Sequence, residues 1–314
     1  MVSSPLAPAH PTMSKRIEKS YLRGSTFPAL SRVEKLRQAP IRSVAVEAAS
    51  RTCRRLGWTL NVRAKTFWGA QMSLLLPEVV SEQVLRCRLF EPSVTAYMLK
   101  LLRPGDVFID VGAHFGYFTL LGAWLTQDVG QVHSFEPTPS TFQMLVKNTR
   151  DYKVVRLNQL AAWSKCATLT INDFGLSLSA FNSAYSPRFQ KAGSNAAEST
   201  PVQVEAVALD DYCDEQDIMP RFVKIDAESA EHEIVRGMND LLTKSRPSVS
   251  VEVGDFNLTG VSRSVELLQS VMDYGYLPFS LDSATIQLHR LRENYSYDNI
   301  LLVPEEYAKE ISGS

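Results

Sequence analysis

Two groups of residues in this 314-residue chain have types and spacings that could do chemistry. The stretch DVFIDVGAHFGYFTL, residues 106–120, ends an apolar run on Asp110 and places Gly112 and Gly116 directly behind it. Glu136, 26 residues after Asp110, ends the next apolar run, QVHSFEP. Glycine tolerates positive φ and close backbone approach. A strand, a glycine turn and a helix start bring backbone N–H groups to a ligand at the carboxyl end of a sheet. The pyrophosphate pattern G-x-G-x-x-G is missing here, and an acid at the strand end would repel phosphate. An acid there suits a cation, and an acid at the next strand end suits a pair of sugar hydroxyls. The second group is VKIDAESAEHE, which gathers Lys224, Asp226, Glu228, Glu231 and His232, followed by Glu252 in SVEVG. Carboxylates or a histidine at such a place can take a proton from a weakly acidic nucleophile. Three carboxylates, Asp226, Glu228 and Glu252, could also hold a hard cation such as Mg²⁺ or bind a substrate hydroxyl directly.

These residues need a parallel sheet to bring them together, and the pattern supplies one. VFIDVG, QVHSFEP, KVVRLNQLAAW, RFVKIDA and PSVSVEVG read as strands, alternating with helical segments such as FGYFTLLGAWLTQ, PSTFQMLVKNTR, AEHEIVRGMNDLLTK and SRSVELLQSVMDYG. That alternation means βαβ units and a parallel sheet covered on both faces. YLPFSLD and NILLVP are joined only by a loop, so the last strand is expected to run antiparallel. ATLTIND (167–173) and VQVEAVALDD (202–211) read as a hairpin added to one edge, with a long polar loop over 181–200 between them. Ahead of the sheet, EPSVTAYMLKLLRPGD and residues 41–56 read as helices, and residues 58–90 as short strand-like pieces. Residues 1–40 read as a partly ordered, solvated arm. The expected division is an arm and cap over 1–84 and an α/β domain over 85–314.

Hydrophobic residues make up 45% of the chain and charged residues 21%, enough apolar material for a packed core. The net charge of −1 hides an asymmetry, because residues 1–65 carry 13 basic against 3 acidic side chains. Cys53, Cys87, Cys166 and Cys213 form no CxxC pair and have no histidine at metal-ligand spacing. A disulfide framework or zinc site is therefore not expected, and a reducing cytoplasm fits. No apolar run is long enough for a membrane span. The first residues lack the apolar centre of a secretory signal, although their basic, acid-poor composition is also that of an organelle transit peptide.

A ligand with an ammonium, a sulfonium, a ribose and no phosphate is S-adenosylmethionine. FIDVGAHFGYFTL, SFEPTPSTFQML, ALDDY, VKIDAESAEHEIVRG and VSVEVG, in this order, resemble the FkbM-type S-adenosylmethionine-dependent methyltransferases over roughly residues 85 to 305. The resemblance implies a Rossmann-like class I methyltransferase fold with a seven-stranded, mostly parallel sheet. It also implies methylation of a hydroxyl on a small natural product or glycan. Expected cofactor contacts are Asp110, Gly112, Ala113, His114, Gly116, Glu136, Pro137 and Ala161, with Trp163 beside the adenine. Expected catalytic residues are Asp226, Glu228 and His232. The family commonly has Asn in place of His114 and Gly in place of Ser229. Serine takes positive φ only at a cost, so the turn after Asp226 is expected to depart from the family's.

Other classes fit less well. An N-methyltransferase on a peptide or amide would use the same fold. A ribose or RNA methyltransferase could use the basic arm. The (N/D)PP(Y/F) motif of base-amino methylases is replaced by KIDAES, and a nucleic-acid partner is disfavoured. A NAD-dependent oxidoreductase lacks its glycine motif. In a non-catalytic binding protein on this scaffold, the intact Asp110, Gly112, Gly116 and Glu136 set would argue against lost cofactor binding, though not against lost chemistry. A homo-oligomer is left open.

Overall fold

The computed structural model describes residues 13–26, 40–185, 199–256, 258, 260–281 and 286–312. In chain order the strands are β1 (Leu60–Lys65), β2 (Gln71–Leu76), β3 (Val107–Val111), β4 (Gln131–Phe135), β5 (Val155–Asn158), β6 (Ala161–Trp163), β7 (Ala167–Asp173), β8 (Thr200–Ala208), β9 (Phe222–Ile225), β10 (Ser248–Val253), β11 (Tyr276–Leu281), β12 (Ile286–Leu288) and β13 (Asp298–Pro304). The main sheet has the order β12-β11-β13-β10-β9-β3-β4-β5. β5, β4, β3, β9 and β10 are parallel, and β13 runs antiparallel to both β10 and β11.

The parallel strands are apolar almost throughout because both faces are covered. Alternate residues split between two cores. Phe108, Val132, Phe222 and Leu301 pack with the helices Pro92–Leu101, Tyr117–Thr126 and Pro139–Thr149. Ile109, Val223, Val251 and Leu302 pack with Leu209–Glu215, Glu231–Arg236 and Ser264–Met272. The carboxyl ends of β3, β4, β9 and β10 therefore open on one edge of the molecule, where Val111, Phe135, Ile225 and Val253 end their strands.

The expected Rossmann-like arrangement is present, with four local differences. The main sheet has eight strands rather than seven, because short β12 adds to the outer side of β11. The segment read as one strand over 153–163 divides at Gln159 and Leu160. β5 stays in the main sheet, and β6 joins β8 and β7 in a separate three-stranded sheet. The expected hairpin is that second sheet, with β7 antiparallel to β8, and is not added to the main sheet's edge. A helix, Val79–Cys87, follows β2 where only strand-like pieces were expected. Glu78 caps it, its two carboxylate oxygens accepting from the N–H groups of Val80 (2.8 Å) and Ser81 (2.6 Å). Glutamate is not among the usual capping residues, so the helix start carried no familiar signal.

The N-terminal arm, expected to be partly ordered and solvated, contains a helix that packs on the domain. Lys15–Thr26 is a helix whose Tyr21 is buried edge-on against Phe67, ring centres 5.4 Å apart. Residues 1–12 and 27–39 of that arm, and most of the polar loop over 181–200, lie outside the described residues. No helix among the described residues is long and apolar enough to cross a membrane.

Candidate active site

The turn after β3 is built by neighbours as much as by any ligand. Gly112 has φ +73°, and a Cβ there would sit 1.7 Å from the carbonyl oxygen of Asp226. Its N–H donates to the Phe135 carbonyl at 3.1 Å, which ties the turn to the end of β4. Gly116 has φ +90° and starts the helix Tyr117–Thr126; a Cβ there would meet Leu145 at 2.7 Å. Gly116 does not line the cavity beside this turn.

Asp110 does not line it either. The pleat turns its side chain under the turn, where it is fully buried and Oδ2 accepts from Thr119 Oγ1 at 2.7 Å. Thr119 Oγ1 lies 2.9 Å from Ser134 Oγ, and Asp110 stands level with Lys224 in the adjacent strand. Burial pushes the Asp110 carboxyl up, and the Lys224 charge pulls it back. Asp110 was expected to hold the cofactor's cationic end directly or through the turn. Its place below the floor takes it off the cavity wall and sets it as a counter-charge to Lys224.

The cavity has a volume of about 620 Å³. One group of its lining residues is Gly112, Ala113 and His114, Glu136 and Pro137, and Ala161 and Trp163. Glu136 is buried and accepts from the His114 N–H at 3.1 Å and the Thr138 N–H at 3.0 Å. Burial pushes its carboxyl up to about 7, against the pull of those two N–H groups. His114 sits at φ +51° with its ring stacked on Phe115, centres 4.1 Å apart. Its Nε2 is 2.8 Å from Ser179 Oγ, and burial lowers its pKa. Its Nδ1 is buried with no hydrogen-bond partner among the described residues.

A second group of lining residues is acidic. Asp226, Glu228 and Glu252 offer carboxylate oxygens that all lie within 4.8 Å of one another. Lys224, nearly fully buried, places Nζ 3.0 Å from Asp226 Oδ2 and 4.8 Å from the centre of the Phe118 ring. Burial works against the ammonium, but Asp226, Asp110 and Glu91 together hold its pKa above the ordinary lysine value. The turn beyond Asp226 keeps left-handed backbone: Glu228 has φ +50° and Ser229 φ +82°. Serine thus adopts the conformation that was expected to be avoided. Glu231 supports the turn, its Oε1 accepting from the N–H groups of Ala227 (2.8 Å) and Ser229 (3.3 Å).

His232, expected as a base, does not line the cavity. Its position on the helix Glu231–Arg236 turns Nε2 toward Tyr185 Oη at 3.3 Å and Glu233 Oε1 at 3.5 Å. Burial lowers its pKa. Four wall residues near the acids were not singled out from the sequence: Glu91, Phe256, Ser296 and Tyr297. Glu91 belongs to the start of a helix and Tyr297 to a loop before β13. No periodicity links residues so far apart in the chain.

The methyltransferase FkbM domain model matches residues 110–278. The chain belongs to the FkbM methyltransferase family. The 31-O-demethyl-FK506 methyltransferase FkbM of Streptomyces tacrolimicus is 29% identical over 176 residues, covering 49% of this chain and 67% of the relative. An FkbM methyltransferase structure from Methylobacillus flagellatus KT is 15% identical, with TM-score 0.40, covering 72% of this chain and 55% of that protein. This chain therefore spans little more than half the length of that FkbM protein. Aeropyrum pernix fibrillarin, solved with natively bound S-adenosyl-L-methionine, is 12% identical, with TM-score 0.37, covering 64% of this chain and 67% of that one. At such TM-scores these likenesses add nothing to the family match.

An FkbM chain is a methyltransferase dependent on S-adenosylmethionine, and the residues present fit that donor. Glu136 retains acceptor capacity on both oxygens, since each carboxylate oxygen can accept more than one hydrogen bond. His114, whose Nδ1 has no hydrogen-bond partner among the described residues, lines the same cavity.

Proposed function

We propose that this FkbM methyltransferase transfers a methyl group from S-adenosylmethionine to a hydroxyl oxygen of a small natural product or glycan. The observation that carries the reading is that one cavity is lined both by Glu136 and His114, which suit a ribose and adenine, and by the Asp226–Glu228–Glu252 trio, which suits hydroxyl groups. In this reading Glu136 accepts from the ribose hydroxyls, and Ala161 and Trp163 flank the adenine. Gly112 and Ala113 present backbone to the methionine part, with Pro137 closing the turn beside them. The methyl donor is already activated, so the protein has to position the acceptor and take its proton. Asp226 and Glu228 orient the acceptor hydroxyl. The name of the Streptomyces tacrolimicus relative, 31-O-demethyl-FK506 methyltransferase, points to an oxygen as the methylated atom and supports the same chemistry.

The test is transfer of label from methyl-labelled S-adenosylmethionine into fractionated extract of the source organism, with and without EDTA. Label in a hydroxylated metabolite or glycan supports the reading. Label in peptide or RNA overturns the acceptor class. Loss of transfer with EDTA would give the acidic trio a Mg²⁺ ion in place of direct contact with the hydroxyl.

A further inference from the structure

Glu91 has a place in the cavity that the cofactor and acceptor assignments above leave unused. It precedes Pro92 at the start of the helix Pro92–Leu101 and lies in left-handed backbone, φ +38°, ψ +79°. A glutamate gains nothing locally from that conformation, and strain of this kind, on the order of 1–3 kcal/mol, gathers at functional sites. The backbone turn delivers the carboxyl group to the wall of the same cavity. There Oε1 accepts from Tyr297 Oη at 2.9 Å and from Asn299 Nδ2 at 3.3 Å. Asn299 is paired with Glu252 across β13 and β10, so Glu91 stands beside the acidic trio. Oε2 is buried and has no hydrogen-bond partner among the described residues. A buried carboxylate oxygen without a partner calls for an explanation, and Glu91, unlike Asp110, carries its own on the cavity wall, where a proton or a ligand can meet it. Asp226 Oδ2, by contrast, is already engaged by Lys224 Nζ at 3.0 Å.

We propose that Glu91 is the base that takes the proton of the acceptor hydroxyl, with Tyr297 and Asn299 fixing the carboxyl group through Oε1 and leaving Oε2 for the acceptor. The inference rests on the O-methyl reading above. In balanced form, the acceptor oxygen bonds to the methyl carbon and its proton passes to Glu91 Oε2. The carbon–sulfur bond breaks with its electron pair on sulfur, leaving a methyl ether, S-adenosylhomocysteine and a protonated Glu91. The groups facing Glu91 are Lys224 and Asp226 from the end of β9, Tyr297 and Asn299 from the β13 side, and Tyr117 from the helix Tyr117–Thr126. Burial first, then Asp226, push the Glu91 carboxyl up to about 7, while Lys224, Tyr297 and Asn299 pull it down. A base so placed is matched to a neutral working pH.

The experiment compares the full-length wild type with Glu91→Gln and Tyr297→Phe in three measurements. S-adenosylmethionine affinity is measured by calorimetry. Turnover against pH is measured on the extract fraction that the wild type labels. Carboxyl titration is followed by infrared difference spectroscopy without any acceptor. Glu91→Gln should bind S-adenosylmethionine as the wild type does and lose about 10²- to 10⁴-fold in kcat. Its difference spectrum should lack one carboxylic acid that titrates near 7 in the wild type. Tyr297→Phe removes a bond that favours the charged carboxylate, so the acidic limb of the rate profile should move to higher pH. That variant carries the test if Glu91→Gln does not fold. Wild-type turnover in Glu91→Gln would overturn the proposal. So would a loss of S-adenosylmethionine affinity as large as the loss of rate, which would make Glu91 a ligand of the donor's ammonium. A wild type that labels no hydroxyl-bearing fraction refutes the O-methyl reading itself, and this inference with it, whereas a wild type that labels one at the same rate as Glu91→Gln refutes this inference alone.

Discussion

Gly112 and Asp226 meet backbone to backbone: a Cβ on the glycine would lie 1.7 Å from the aspartate's carbonyl oxygen. The contact locks the turn after β3 to the turn after β9, and both turns line the cavity. Gly112→Ala must move one of them. The left-handed conformation alone costs an alanine roughly 1–2 kcal/mol, and the overlap adds to that. The variant should be destabilised by more than that amount in denaturant unfolding and should bind S-adenosylmethionine weakly. Wild-type stability would mean that the two turns move independently.

Lys224 is the buried cation on which Asp226, Asp110 and Glu91 all depend. Lys224→Met fills the space and leaves three carboxyl groups without their counter-charge. Removing one partner of a buried pair costs about 3–5 kcal/mol. The loss should be read in urea unfolding at pH 7 and should shrink as the pH falls, because protonation relieves the stranded acids. A loss that is the same at pH 5 would assign the effect to packing.

Much of this architecture was legible because it is written in local pattern. Buried strands such as SVSVEV and the strand-end acids Asp110 and Glu136 mark the parallel sheet and its carboxyl edge. What the sequence concealed is which way a side chain faces and what lies across from it. Asp110 and Asp226 both follow apolar runs, yet only Asp226 reaches the cavity; the pleat turns Asp110 under Thr119. His232 looked like a base because it neighbours the acids in sequence, but one helical step turns it to Tyr185. Glu91 was hidden because its role depends on contacts with Tyr297 and Asn299, more than two hundred residues away in the chain.

Asp226→Asn keeps the size of the side chain while Lys224 retains Asp110 and Glu91 as counter-charges. The variant should fold and bind S-adenosylmethionine with unchanged affinity, yet turn over at least about tenfold more slowly, a barrier change of roughly 1.4 kcal/mol. Calorimetry and labelled transfer on the same preparation separate the two effects. Full activity would remove Asp226 from the acceptor site.

Ser229 holds φ +82°, where the family commonly has glycine. Ser229→Gly relieves a strained backbone but gives the unfolded chain more freedom, and the two effects oppose each other. The relief is roughly 1–2 kcal/mol and the entropic cost roughly 0.5–1 kcal/mol, so thermal unfolding should show a small net stabilisation. A destabilised variant would mean that the serine's own contacts outweigh the strain.

Glu136 links donor binding to pH. Burial raises its carboxyl from 4.5 to about 7 in the fold. A raised folded value means that the stabilising contribution is fully present below about pH 4.5 and is lost as pH rises to about 7. Glu136→Gln, which cannot ionise, should therefore gain on the wild type in melting temperature as pH is raised through that window. The ionised carboxylate accepts from ribose hydroxyls more strongly than the neutral acid does. S-adenosylmethionine affinity of the wild type should then rise over the same interval, while that of the Gln variant stays flat. Glu136→Ala should lose about 1–3 kcal/mol of binding. Calorimetric titrations at pH 5.5 and 8 decide the matter, and a wild-type affinity that ignores pH would take Glu136 away from the ribose.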